Sequence, residues 1–434
     1  MNVGFISLGC SKNLVDTEMT ISLFKKNNYN IVNEPQKADI IVINTCGFIE
    51  SAKEEAINTI LEMAEYKKNR CKFLIVMGCL VERYKQDLEN SLPEVDLFIR
   101  YSDYNKIWDY IETLLPKHDK KPFDGLSFMD RTITTGTNYA YLRIADGCSN
   151  FCTFCAIPSI RGKYISRKIE DILAEAKKLA SQGYTELIVI AQDTTKYGID
   201  IYGKPQLANL LSKLCEIENI KWIRFLYSYP ETITDELIDV VKNNEKICNY
   251  FDIPIQHISN SVLKKMNRKS TKETIYSLIS KLRNEIPNVI IRTTVMVGFP
   301  GETNEDFGEL YEFINWAKFD RLGAFSYSKE DNTPAEKLQG HIHPMTKKSR
   351  LNKIMKLQQK ISEENNRKLI GKELEVLVES KTFDGKYYVA RSYMDVPEID
   401  GYVYLKNNSD NIINTFAKCK IIDVNKYDLI GEII

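Results

Sequence analysis

The 434 residues leave room for two or three domains, each able to bury a core of its own. Lysine plus arginine equals aspartate plus glutamate at 59 each, so no net field draws the chain toward nucleic acid or anionic lipid. No apolar run approaches the ~18 residues that span a bilayer, and MNVGFISLGC lacks the build of a secretion signal, so a soluble cytoplasmic protein is expected.

Over residues 1–116 short apolar runs alternate with helical patterns, which predicts a doubly wound parallel sheet with crossover helices. Strands are expected over 3–7, 39–44 and 73–77. A helix is expected from Ser51, with Glu54 placed to close a capping box. Each of the three strands runs into a cysteine: FISLGC at Cys10, IVINTC at Cys46 and LIVMGC at Cys79. Residues past the carboxyl ends of such strands gather on one edge, where these folds place their sites. Three thiols spread over the segment therefore converge, and Gly9, Thr45 and Gly78 before them leave room for a bulky group. Half-buried structural thiols would produce the same pattern. Cys71 precedes its strand and falls on the opposite edge; Cys71, Cys215, Cys248 and Cys419 read as inert buried thiols.

Residues 117–138 are polar and irregular, as in a linker. The alternation resumes over 139–345, with strands expected at 141–145, 186–191, 222–227, 250–255, 289–297 and 322–327. Between the first two, Ile169, Ile172, Leu173, Ala176 and Leu179 form a helical stripe. Six strand–helix units fit a partial (β/α)6 barrel better than a flat sheet. Just after its first strand, GCSNFCTFC sets Cys148, Cys152 and Cys155 in C-x3-C-x2-C. Three thiolates on one tight loop suit a soft metal centre. A structural zinc wants a fourth ligand, and the next candidates are distant: Cys215, His118 and His257. A four-iron cubane held by three thiolates keeps one iron free. Residues 346–366 then read as a connecting helix, through Leu351, Ile354, Leu357 and Ile361. Residues 367–434 carry about five short strands, the pattern of a small β-barrel.

The C-x3-C-x2-C spacing is similar to the signature of radical S-adenosylmethionine (SAM) enzymes. With SLGCSKNLVDTE around Cys10, AIPSIRGKYISR after Cys155 and VGFPGET from Val297 to Thr303, nearly the whole chain resembles the methylthiotransferase family. SLGCSKNLVD and SYMDVPEIDG (Ser392 to Gly401) are similar to its RimO branch, and the last segment resembles the OB-like TRAM domain. Thr17, Val396 and the filler Ser149-Asn150-Phe151 depart from the family pattern without removing a cysteine.

The resemblance implies two 4Fe–4S clusters. An auxiliary one would sit on Cys10, Cys46 and Cys79, and a SAM-binding one on Cys148, Cys152 and Cys155. It further implies SAM, used once as methyl donor and once as radical source, and an electron donor such as flavodoxin or ferredoxin. The implied target is the β-carbon of an aspartate in the twelfth small-subunit ribosomal protein. Phe154 stands where the superfamily contacts the SAM adenine, although plain packing fits it equally. No acid, base or nucleophile is assigned beyond the clusters. Gln192, Asp193, Arg292 and Gly298 fall near predicted strand ends, where pocket and packing roles are both open; His257 reads as a core histidine. Modification of tRNA, as in the MiaB branch, and a non-catalytic iron–sulfur RNA-binding regulator are the competing readings.

Charge bears on that choice. From Arg367 to Ile434 ten basic residues face eleven acidic ones, which does not suit a domain gripping phosphates. Asp395, Glu398 and Asp400 lie together in MDVPEID. They are expected to form an acidic loop that steers a lysine-rich ribosomal protein.

Overall fold

The computed structural model describes residues 1–115, 125–406 and 411–434. In the first domain, Ile40–Thr45 is apolar or small at nearly every position and wholly buried, and Phe73–Gly78 nearly so. That is the composition of parallel strands covered on both faces. With Asn2–Ser7 and two short edge strands that the sequence pattern had not marked, Asn30–Val32 and Leu97–Arg100, they form a parallel five-stranded sheet. The strand order, numbered along the chain, is 2-1-3-4-5. The order reverses between Asn2–Ser7 and Ile40–Thr45, which makes the crevice beyond their carboxyl ends the topological switch point. The expected capping box is not formed. The helix Glu50–Ala64 begins one residue early, with Ile49 in the cap position and no side-chain cap, so Ser51 already lies inside the first turn.

The central domain carries six strands, Tyr139–Arg143, Glu186–Ile190, Trp222–Phe225, Tyr250–Gln256, Ile290–Val297 and Arg321–Ser326. They pair in parallel within two groups of three. A few main-chain bonds, such as Ser228 N to Asp252 O at 2.8 Å, join the groups, so the barrel stays open. Alternation along the strands divides the core. Ala140, Leu142, Leu187 and Val189 pack against helices such as Ile169–Ser181. Tyr139, Tyr141, Ile188 and Ile190 belong to a second core, shared with Val15 and Met19 and with the last domain. Part of the predicted linker is anchored: Arg131 is buried between Glu18 and Glu175 (2.9 Å to the latter). Residues 116–124 of that linker lie outside the described residues. Among the described residues no helix is long and apolar enough to cross a membrane.

The helix Pro344–Arg367 leads into a closed five-stranded barrel built from Glu373–Lys381, Tyr387–Ser392, Val403–Lys406, Phe416–Val424 and Leu429–Ile433. Its contact with the central barrel is made by buried charges. Arg391 Nη2 meets Glu186 Oε2 at 2.8 Å and Glu379 Oε1 at 2.7 Å, while Arg224 Nε reaches Glu186 Oε1 at 3.1 Å. The acidic loop belongs to this joint, which corrects the steering reading. Asp395 is buried against Arg321 at 2.7 Å, and Asp400 accepts from the Tyr250 hydroxyl at 2.6 Å with Arg292 at 3.7 Å. Carboxylates already matched by arginines present no free negative field. Of the three, only Glu398 is exposed.

Candidate active site

Cys10 follows the first strand at the switch point and occupies the cap position of the helix Ser11–Lys26. Cys46 follows Ile40–Thr45 across the same crevice, and Cys79 opens the helix Cys79–Ser91. Cys46 packs closely on the turn that carries Cys10: a Cβ built on Gly9, which holds a φ of +88°, would lie 2.6 Å from Cys46 Cβ and 3.1 Å from its sulfur. The second trio sits on a loop held at both ends. Cys148 N donates to Gly162 O at 3.1 Å and Thr153 N to Met266 O at 3.1 Å, while Thr153 O accepts from Ala335 N at 2.9 Å. Both trios face one cavity of about 360 Å³, which all six thiols line.

The donor set fits the implied clusters. All six donors are soft sulfur, set as two trios around one cavity, the ligand chemistry that iron–sulfur clusters take. A cubane offers each thiolate a separate iron. Burial pushes the Cys79 thiol up to about 12, and Cys148 and Cys155 upward for the same cause. Burial also opposes ionisation of Cys10, but Lys12, Arg161 and the backbone N–H groups of Asn13 and Lys12 outweigh it, so its thiol is held below its ordinary value. Arg161 Nη2 lies 3.8 Å from Cys79 Sγ and Arg268 Nη1 lies 3.9 Å from Cys152 Sγ, so each trio has a buried guanidinium beside it.

A salt-bridge network fixes the two domains across this cavity. Asp16 is reached by Arg143 at 2.5 Å and Arg161 at 2.7 Å, and both arginines also reach Asp146 at 3.3 Å. Burial alone would raise the Asp146 carboxyl; Arg143 and Arg161 hold it at about 2.

Phe154 lines the cavity and packs edge-on against Phe299, with centroids 6.4 Å apart. Of the open candidates, Gln192 and Arg292 line the cavity. Asp193 is spent on Asn150 and Thr195, and Gly298 N donates to Glu302 in the turn before the helix Asn304–Ala317. His257 is fully buried, its Nδ1 accepting from Ser259 N at 3.0 Å. The sequence reading missed Lys12, Asn13, Tyr227 and Gln256, which also line the cavity. Lys12 and Asn13 stood next to Cys10 in SLGCSKN and could have been singled out. Tyr227 and Gln256 carry left-handed backbones, with φ of +63° and +68°, at the ends of neighbouring strands, and no sequence pattern announces that strain. The acidic loop contributes Val396 and Ile399 to the wall.

Residues 142–314 match the Radical SAM superfamily, residues 2–100 the Uncharacterized protein family UPF0004, and residues 370–434 the TRAM domain. Over 434 residues the chain is 64% identical to the ribosomal protein uS12 methylthiotransferase RimO of Alkaliphilus oremlandii, covering all of this chain and 99% of that one. The chain belongs to the RimO family of radical SAM methylthiotransferases. The RimO protein of Caldicellulosiruptor saccharolyticus is 52% identical over 441 residues, with both chains fully covered. Among solved structures, the radical SAM methyltransferase TsrM from Kitasatospora setae aligns with a TM-score of 0.57 at 12% identity, over 77% of this chain and 73% of that one. At that identity the likeness concerns the fold. The RimO-family relatives extend over both cysteine trios and the terminal barrel, so a radical SAM enzyme of the methylthiotransferase type replaces the regulator reading.

Proposed function

We propose that this enzyme replaces a hydrogen on the β-carbon of an aspartate in ribosomal protein uS12 with a methylthio group, working with two 4Fe–4S clusters. One observation carries the reading: two cysteine trios from two domains line a single cavity, in a chain 64% identical throughout to a protein of that activity. Bound there, the clusters would pass on the donor's electron and carry the sulfur to be methylated, while SAM would supply the methyl group and the 5′-deoxyadenosyl radical that takes the hydrogen away as 5′-deoxyadenosine.

The protein's own part is placement and exclusion of water. Cys148, Cys152 and Cys155 hold the SAM-binding cluster and Cys10, Cys46 and Cys79 the auxiliary one. Arg268 and Arg161 set positive charge beside the two anionic centres. Leu226, Phe325, Val396 and Ile399 supply apolar wall, which protects a carbon-centred radical from side reactions. Phe154 offers a ring face for the SAM adenine. The reaction belongs in the cytoplasm, where ribosomal proteins and a low-potential flavodoxin or ferredoxin are found. The net charge of −1 over the terminal barrel speaks against tRNA as substrate.

The test is anaerobic incubation of the reconstituted enzyme with SAM, a reductant and either uS12 or bulk tRNA, followed by mass spectrometry. A methylthio group on one uS12 aspartate and unmodified tRNA is the expected result. Methylthioadenosine in tRNA with unmodified uS12 would move the enzyme to the MiaB-like activity.

A further inference from the structure

Three cations line the cavity between the trios, and they are not equivalent. Arg161 is matched by Asp16 and Asp146, and Arg292 by Asp252 at 2.8 Å. Lys12 is only 7% exposed, yet among the described residues no carboxylate pairs with it. Its ammonium lies 3.4 Å from the Ala191 carbonyl oxygen and 3.3 Å above the centre of the Tyr227 ring. An ammonium carries three N–H donors. One long hydrogen bond and one ring face leave the ammonium with donor capacity that no carboxylate meets, although its charge also favours the Cys10 thiolate two residues before it.

Its direction matters as much as its charge. Lys12 starts in the amino-terminal domain two residues after Cys10, but both its contacts belong to the barrel: Ala191 just past the strand Glu186–Ile190, and Tyr227 past Trp222–Phe225. The side chain therefore crosses the domain boundary into the space between the two trios. Tyr227 is held beneath it in a strained left-handed conformation, its N–H donating to Asp252 Oδ2 at 3.0 Å. The floor under the ammonium is thus fixed before any substrate arrives.

We propose that Lys12 receives the side-chain carboxylate of the target residue. It is then a specificity-determining residue that selects aspartate and places its β-carbon between the two cysteine trios. The inference rests on the uS12 reading above. An aspartate entering this cavity sheds water from its carboxylate and needs a cation not already paired with a carboxylate; among the three, Lys12 is that cation. The carboxylate carbon is bonded to the β-carbon, so anchoring the one restricts the position of the other.

The experiment measures binding with anaerobically reconstituted full-length enzyme and SAM. The ligands are a peptide carrying the uS12 target aspartate and the same peptide with asparagine in its place. Wild type is expected to prefer the aspartate peptide by roughly 10- to 100-fold, the range for a hydrogen bond to a charged group. Lys12→Gln should bind both peptides within about threefold of each other while holding the wild-type iron content, and Lys12→Arg should restore much of the preference. A Lys12→Gln enzyme that keeps the wild-type preference would overturn the assignment. So would loss of about half the iron in that variant, because the charge would then serve the auxiliary cluster. Wild type that fails to modify the aspartate peptide at all would instead remove the uS12 reading, and this inference with it.

Discussion

Arg161 Nη2 of the barrel donates to Asp16 Oδ2 of the amino-terminal helix at 2.7 Å, and the same nitrogen lies 2.7 Å from Asn13 Oδ1 and 3.8 Å from Cys79 Sγ. One guanidinium thereby ties the domain that carries the first trio to the domain that carries the second. Asp16 serves two buried arginines, so Asp16→Asn leaves Asp146 as the one carboxylate within reach of both Arg143 and Arg161. Removing one partner from a buried pair costs about 3–5 kcal/mol. Urea unfolding of Asp16→Asn should show a loss toward the lower end of that range, since Asp146 remains. A change below about 1 kcal/mol would mean that the network adds little to the joint.

Charge reversals in the 395–400 loop should separate by burial. Asp395→Lys places a lysine against Arg321, and Asp400→Lys places one against Arg292. Both should loosen the terminal barrel from the central one and lower thermal stability sharply. Glu398→Lys, on an exposed side chain, should leave stability within about 0.5 kcal/mol of wild type. Limited proteolysis between the two barrels, combined with thermal melts, reads this directly. Equal behaviour of the three variants would contradict the burial difference.

What the sequence made legible follows from how local each signal is. The strands around Cys46 and Cys79 are apolar runs ending in small residues, so their direction and the edge their thiols occupy could be read from periodicity alone. The barrel trio is set by spacing on one loop. The acidic loop misled because the arginines that neutralise it, Arg292 and Arg321, lie more than 70 residues away and meet it only through tertiary packing. Lys12 escaped notice for a related reason. A lysine in a helix's first turn ordinarily points to solvent, and only the domain boundary buries this one. The cap of the helix Glu50–Ala64 lies at Ile49, two residues before the Ser51 that the capping box required, because helix ends shift by a residue or two with no change in the apolar pattern that marks the helix.

His257 gives a pH dependence of determined sign. Burial, with a smaller push from Arg350, outweighs the attraction of Asp306 and lowers its imidazole to about 3, against 6.5 in the ordinary range. Between those values the unfolded chain takes up a proton that the folded protein refuses. Its contribution is therefore complete above pH 6.5 and shrinks as the pH falls toward 3. The slope approaches about 1.4 kcal/mol per pH unit. Comparing wild type with His257→Asn across pH 7 to 4 should show wild type losing stability faster on acidification. Parallel curves would show that His257 is protonated in the folded state.

The most direct test of two clusters sharing one cavity is the triple variant Cys10→Ala, Cys46→Ala, Cys79→Ala, assayed anaerobically for iron, 5′-deoxyadenosine and methylthio product. Wild type should hold about eight irons and the variant about four. The variant should still release 5′-deoxyadenosine, because its C-x3-C-x2-C loop is intact, yet leave uS12 unmodified. Full iron content together with normal methylthio product would contradict the arrangement and return Cys10, Cys46 and Cys79 to simple packing.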